Sequence, residues 1–311
     1  MLPLSECGSL MPEQLQRRTL ALLFLCAGTL TFGFSSVFIR LCALPSGLVA
    51  SLRMLLAGLV LLPFIAPGMR AIVRGRGFRG LLPLVVPGIL LGLHFHLWVA
   101  GVRQTSVATA TFIFATNPVL FAAAEVAVYR RRLSAADWCA LALAAAGGAW
   151  LVARGGGGSG LAGDALCFAA TVLFVLYLVA SEKVSSGMPH PTYVCLIYLA
   201  GGLLTLPIAL IRGETATAAW GDGGAWLALA ALALLPTLVG HASNTYAVRF
   251  FPPILVSFTT LLEPILSSLA ALAVLGERPP AAELPAYALF AAATALFLAA
   301  RWARSRLSRA R

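Results

Sequence analysis

"VRQTSVATATFIFATNPVLFAAAEVAVYRRRLSAADW", residues 102–138, lies without a gap over "VRFFPPILVSFTTLLEPILSSLAALAVLGERPPAAEL", residues 248–284, when the chain is slid along itself by 146 positions. Matching alanines carry little weight in an alanine-rich chain. Val102, Arg103, Phe112, Pro118, Leu120, Val128 and Leu143 also recur, and Pro118 falls on Pro264. Each proline sits in the middle of an apolar stretch beside a polar residue, Asn117 in one copy and Glu263 in the other. A proline inside a helix has no N–H to donate to the residue four earlier, so the carbonyls of Phe114 and Thr260 are expected to be released.

Around this repeat the composition is that of a membrane protein. Hydrophobic residues make up 60% of the 311 positions and charged residues 11%, against roughly 25% charged in a soluble domain. A helix needs about 20 apolar residues to cross the hydrocarbon. Ten stretches qualify, at about 20–39, 47–66, 81–101, 106–129, 136–153, 165–181, 191–211, 225–247, 252–275 and 284–300. The expected fold is an all-α integral membrane protein with ten transmembrane helices arranged as two five-helix repeats. Repeat copies five helices apart enter the bilayer from opposite sides, so the second is inverted. The expected boundaries are an N-terminal segment at 1–19, a first repeat at 20–154, a glycine-rich linker at 155–161, a second repeat at 162–300 and a basic tail at 301–311.

Short cytoplasmic segments are enriched in Lys and Arg. With the N-terminus inside, the inner segments collect Arg17, Arg18, Arg70, Arg74, Arg76, Arg79, the Arg130 to Arg132 run, Lys183, Arg249 and the arginines of the tail. The outer ones hold Arg40, Arg103, Arg154, Arg212 and Arg278. Both termini are therefore expected in the cytoplasm, with the chain multi-pass in the cell membrane. The first apolar run is too long for a signal peptide and has no clear small-x-small cleavage site, so it reads as a retained span. The net charge of +11 is mostly this topology signal, and the basic tail is expected against anionic lipid. Nucleic acid is not an expected partner, because the basic residues are not interleaved with aromatics on one surface. Cys7, Cys26, Cys42, Cys139, Cys167 and Cys195 are scattered, which indicates neither a disulfide framework nor a zinc site.

Inverted repeats are a common plan for secondary transporters, which bind substrate near the midplane where the copies meet. A carboxylic acid ionised at a helix centre costs about 2.5–3.5 kcal/mol on insertion scales, so such groups face a bundle interior or a watery cavity. For Glu263 three roles stay open: carrying a proton as the cavity alternates, binding a cationic group of the substrate, or fastening one helix to another. Residues three or four apart share a helix face. On that basis His94 and Trp98 form one candidate surface, His241 and Asn244 a second, and Thr259, Glu263 and Ser267 a polar stripe. His96 points away from His94, so "HFH" is a poor metal site. Arg53 either reaches outward along its stem or offers a positive charge to an anionic substrate. If Arg53 and Glu263 both face the cavity, a zwitterion such as an amino acid suits it.

"LPSGLVASLRMLLAGLVLLP" (44–63), "TSVATATFIFATNPVL" (105–120) and "GHASNTYAVRFFPPILVSFTTLLEPILSSLAALAVLGERP" (240–279) together resemble the EamA branch of the drug/metabolite transporter superfamily, over about residues 20 to 300. The resemblance implies two inverted five-helix bundles and alternating access. It also implies a small-molecule cargo: relatives move amino acids, other metabolites, nucleotide sugars or drugs, and bacterial members mostly export. The first repeat ends in "YRRRLS" where the family often has a Gly-Glu pair such as Gly276-Glu277, so a role for Glu277 has no counterpart on the other side.

An enzyme is disfavoured, because the chain has no His-Glu-x-x-His helix, Asp-rich stretch or Gly-x-Ser-x-Gly elbow. "GGGGSG" (155–160) is not a P-loop, since no Lys-Ser/Thr follows it, and no cofactor is implied. The expected reading is a secondary exporter of small polar metabolites such as amino acids, the alternatives being an uncoupled facilitator or drug exporter of the same fold and, in a different class, a membrane enzyme, receptor or scaffold. Proton coupling and a homodimer are left open by the residues.

Overall fold

A computed structural model describes residues 4–155, 160–185, 187–215, 219, 221–276, 278 and 281–309. Among these residues the chain is helical throughout and forms no strand. Glu277 and most of the glycine-rich linker lie outside the described residues. Ten long helical segments follow one another: α1 (Leu15–Leu41), α2 (Ser46–Phe64), α3 (Phe78–Gln104), α4 (Thr109–Ala127), α5 (Ala135–Gly155), α6 (Leu161–Ser185), α7 (His190–Ile211), α8 (Gly223–Ala247), α9 (Pro253–Leu275) and α10 (Ala281–Arg304). Nine of them are apolar enough over their described length to cross a membrane, and α5 completes the first set of five.

The spans read as continuous from hydropathy are not all continuous. α1 is the extension of a helix that begins at Leu4, so the described part of the N-terminal segment is not a separate tail. It breaks after Phe32 and resumes at Ser35. α4 breaks at Ala115 and Thr116, just before Pro118, and α9 tightens into a 3₁₀ turn at Thr260–Leu262, just before Pro264. In α8, where Pro236 cannot donate, the turns widen into a π-helix over Ala233–His241. Hydropathy is blind to these breaks because the residues on either side remain apolar. Between α2 and α3 the expected loop is an amphipathic helix, Ala66–Arg76, whose exposed Arg70 and Arg74 suit a bed at the membrane surface.

Helix packing obeys the repeat. α3 lies along α6 as α8 lies along α1, and α2 with α7, α4 with α9 and α5 with α10 each pair with their own repeat mates. One detail shows the symmetry at the level of atoms. Arg103, at the end of α3, donates from Nη2 to the carbonyls of Cys42 (2.6 Å) and Ile39 (3.4 Å), closing the end of α1. Arg249, after α8, donates from Nη2 to the carbonyls of Met188 (2.5 Å) and Ser185, closing the end of α6. Donors and acceptors alike are related by the 146-residue shift.

In lipid, helices associate by close packing more than by apolar exclusion, which favours small residues at contacts. α7 and α3 meet in this way: a Cβ on Gly201 would stand 2.4 Å from the carbonyl oxygen of Gly88. Backbone cannot yield as a side-chain tip can. Gly201→Ala is therefore expected to lower the thermal midpoint in detergent, by a loss of about 1–3 kcal/mol. Gly221→Ala, with nothing within 4 Å of its Cβ, should leave the midpoint unchanged; equal midpoints for the two variants would mean this contact is looser than described.

Candidate functional site

The π-helix of α8 starts the site. A wide turn leaves the carbonyl of Leu232 without a backbone partner four residues on, and Thr237 Oγ1 donates to it at 2.7 Å. The same oxygen accepts from Arg53 Nε on α2 at 2.7 Å, and the Tyr198 hydroxyl on α7 donates to the Thr237 carbonyl at 2.6 Å. Arg53 thus does not reach outward to water. It is 0% exposed, held across the bundle, with its guanidinium 4.0 Å from the centre of the Phe95 ring. Nη1 and Nη2 are buried and have no hydrogen-bond partner.

Phe95 joins this arginine to a box of rings. Its centroid lies 4.7 Å from that of His241, edge to face, and His241 lies 5.7 Å from His94. His94 Nδ1 donates to the carbonyl of Ala170 on α6 at 2.8 Å, which fixes the proton on Nδ1 and leaves Nε2 as the acceptor. Trp98 stacks along His94 at 6.4 Å, while Phe114 at the α4 break and Phe174 on α6 close the walls. Phe32, at the α1 break, touches His241 at 4.9 Å. His241 Nδ1 is unpaired and buried, as is Asn244 Nδ2 one turn further along α8. His96 faces the other side of α3 and meets Ser51 at 3.0 Å, so the two histidines of "HFH" do not converge. No three metal-ligating side chains cluster among the described residues.

The second polar group stands where α4 and α9 cross at their breaks. Asn117 Nδ2 donates to Thr260 Oγ1 at 2.6 Å, and Thr260 Oγ1 donates to the Ser257 carbonyl at 2.7 Å. Glu263 is 3% exposed and its Oε2 is buried without a partner. No ion pair joins it to Arg53. The two clusters share a neighbour in the α1 break: Phe32 touches His241, and Gly33 backs onto α9 at Leu266, 2.6 Å from where a Cβ would stand.

The structure therefore brings His94, Trp98, His241 and Arg53 to one box and places Asn117 and Glu263 at the neighbouring crossing. Thr259 is half-buried and donates to its own helix at Val256, so it takes no part in either cluster. Its neighbour Thr260 does, because the 3₁₀ turn rotates the face. Sequence reasoning named Phe114 and Thr260 for their released carbonyls only, not for their side chains, and did not single out Thr237, Tyr198, Phe95 or Phe174. The pair Pro236-Thr237 was the available signal, a third mid-span proline followed by a hydroxyl able to take up a released carbonyl.

In comparisons with known proteins, the profile of the EamA-like transporter family matches residues 19–153 and again 161–300. A solved structure titled only "Crystal structure of protein" superposes with a TM-score of 0.71 at 22% identity, covering 91% of this chain and 99% of its own. That likeness concerns the fold. The curated proteins give no match.

Proposed function

The chain belongs to the EamA-like transporter family, and from that premise we propose that it moves small metabolites bearing a carboxylate, amino acids among them, by alternating access. The observation that carries the reading is Arg53: a fully buried guanidinium with two unpaired nitrogens and no carboxylate bound to it. An unpaired buried charge is costly. A cargo carboxylate would meet both Nη groups in the bidentate geometry that guanidinium favours, and the aromatic box would take the rest of a small molecule. The amino group of such a cargo has His94 Nε2 and Glu263 within the same pair of clusters. The site is closed over in this state, so entry requires the repeats to part, and the breaks in α1, α4, α8 and α9 are places where they can bend.

The family membership makes the protein a membrane transporter. Export, proton coupling through Glu263 and cytoplasmic placement of both termini are our own reading. The first rests on the resemblance, the second on an isolated midplane carboxyl and the third on the distribution of arginines. Reconstituted protein is expected to exchange labelled amino acids across proteoliposomes. Unlabelled amino acids should compete, whereas the corresponding amines without the carboxylate should not. Amines competing as well as their parent acids would remove Arg53 from the binding site.

A further inference from the structure

Away from the midplane, the ends of α5 and α10 on the side that carries the Arg130 to Arg132 run enclose a cleft of about 560 Å³ lined by Arg132, Leu133, Ser134, Asp137, Arg301 and Arg304. Its acid is already engaged. Asp137 accepts from the Ser134 backbone and hydroxyl at 2.9 and 2.8 Å and pairs with Arg304 at 3.0 Å. The nearby Glu125 is likewise taken by Arg131, at 3.3 Å. What remains is cationic. Arg301 lays its guanidinium 4.5 Å from the centre of the Phe297 ring, and its Nε is buried with no acceptor, while Arg132 stands exposed at the mouth.

The surroundings of the cleft say where it opens. Trp138 and Trp302, each next in sequence to a lining residue, are 57% and 59% exposed. Tryptophan favours the level of the lipid headgroups, so two exposed indoles flanking an arginine cleft place its mouth at that level. Neither transport chemistry nor repeat symmetry calls for the site. Arg132 recurs as Arg278 and Asp137 as Glu283, but the repeat mate of Arg301 is Gly155, so the arginine that completes the cleft stands at one end of the bundle.

We propose that this cleft binds a phosphate group of net negative charge, unlike that of phosphatidylcholine, which carries its own choline cation, with Arg132 and Arg301 as its donors and Arg304 held in place by Asp137. The group comes from an anionic lipid headgroup or from soluble phosphate, and the two are separable. Full-length protein in detergent would be titrated with phosphatidylglycerol and, separately, with phosphatidylcholine of the same acyl chains, with retained lipid read by native mass spectrometry. Phosphatidylglycerol is expected to be retained in preference. Arg132→Gln and Arg301→Gln should each weaken that retention about fivefold, the effect of one basic residue at a lipid surface, and leave phosphatidylcholine unaffected. Added inorganic phosphate that displaces the lipid would mark soluble phosphate as a ligand; lipid that stays bound would mark the headgroup. Both outcomes uphold a phosphate site. Equal retention of the two lipids, or Arg132→Gln retaining phosphatidylglycerol as wild type does, would overturn it. Arg132 is exposed and its substitution leaves the fold intact, so a collapse of Arg301→Gln alone does not obscure the result; thermal midpoints of both variants check this. Transport does not enter the assay, so its failure is distinct from failure of the transporter reading.

Discussion

Replacing Arg53 by methionine is expected to raise the amino acid concentration needed for half-maximal exchange by about a hundredfold, with little change in thermal stability. Removing one partner of a buried, hydrogen-bonded charge pair costs about 2–5 kcal/mol, and a hundredfold in affinity corresponds to about 2.7 kcal/mol. The stability arm runs the other way. In the closed protein the guanidinium makes one hydrogen bond, to Thr237 at 2.7 Å, and leaves Nη1 and Nη2 unpaired. An apolar side chain of similar volume relieves that unpaired charge, and such replacements are often neutral or stabilising. Arg53→Lys should recover part of the affinity, since a point charge remains but the forked geometry is lost. The competing account makes Arg53 a pin between α2 and α8. In that case the methionine variant would unfold at lower temperature and its surviving fraction would keep the wild-type concentration dependence. Half-saturation and thermal midpoint, measured on one preparation, separate the two.

The parts of this architecture that could be read from sequence are those that repeat or that cost energy. Ten apolar stretches, the match of Pro118 with Pro264 and the recurrence of Arg103 as Arg249 are visible in one dimension because each copy had to meet the same constraint. Arg53 and Glu263 stood out because a charge in the bilayer core needs a reason. The partners of these residues were not legible. Thr237 lies 184 positions from Arg53, and whether the two meet depends on how α2 and α8 are rotated, which no local pattern encodes. The polar stripe on α9 failed at one residue for a related cause. An ideal helix turns 100° per residue, and the 3₁₀ turn at Thr260–Leu262 shifts that count, so Thr260 rather than Thr259 reaches Asn117. The π-helix breaks the repeat symmetry outright. Pro236 has Leu90 as its repeat mate, so the comparison of copies that revealed the fold could not reveal the site.

Glu263→Gln is expected to leave exchange of labelled amino acid intact and to abolish its accumulation against a proton gradient. If one proton moves per cargo molecule, a gradient of one pH unit can sustain at most about a tenfold concentration ratio, because each is worth about 1.4 kcal/mol. Wild-type proteoliposomes should approach that ratio and the glutamine variant should stay near unity. Glutamine has nearly the shape of glutamic acid and can hydrogen-bond, but it cannot release a proton. The repeat partner of Glu263 is Asn117, a neutral amide whose Nδ2 donates to Thr260 at 2.6 Å and whose Oδ1 is unpaired, so the crossing of α4 and α9 holds one ionisable group and not a symmetric pair. A lone carboxyl, 3% exposed with Oε2 unpaired, is held by no fixed cation. Its ionised form becomes affordable when water or a cargo amine arrives, which ties its charge to the opening of the site. A carboxyl that only fastened α9 to its neighbours would behave differently. Its amide substitute would then change exchange and accumulation together, in step with a lower thermal midpoint. Accumulation in the variant equal to wild type would leave Glu263 no part in coupling and would turn the test to His94 and His241, whose ring centroids lie 5.7 Å apart on the other side of the α1 break.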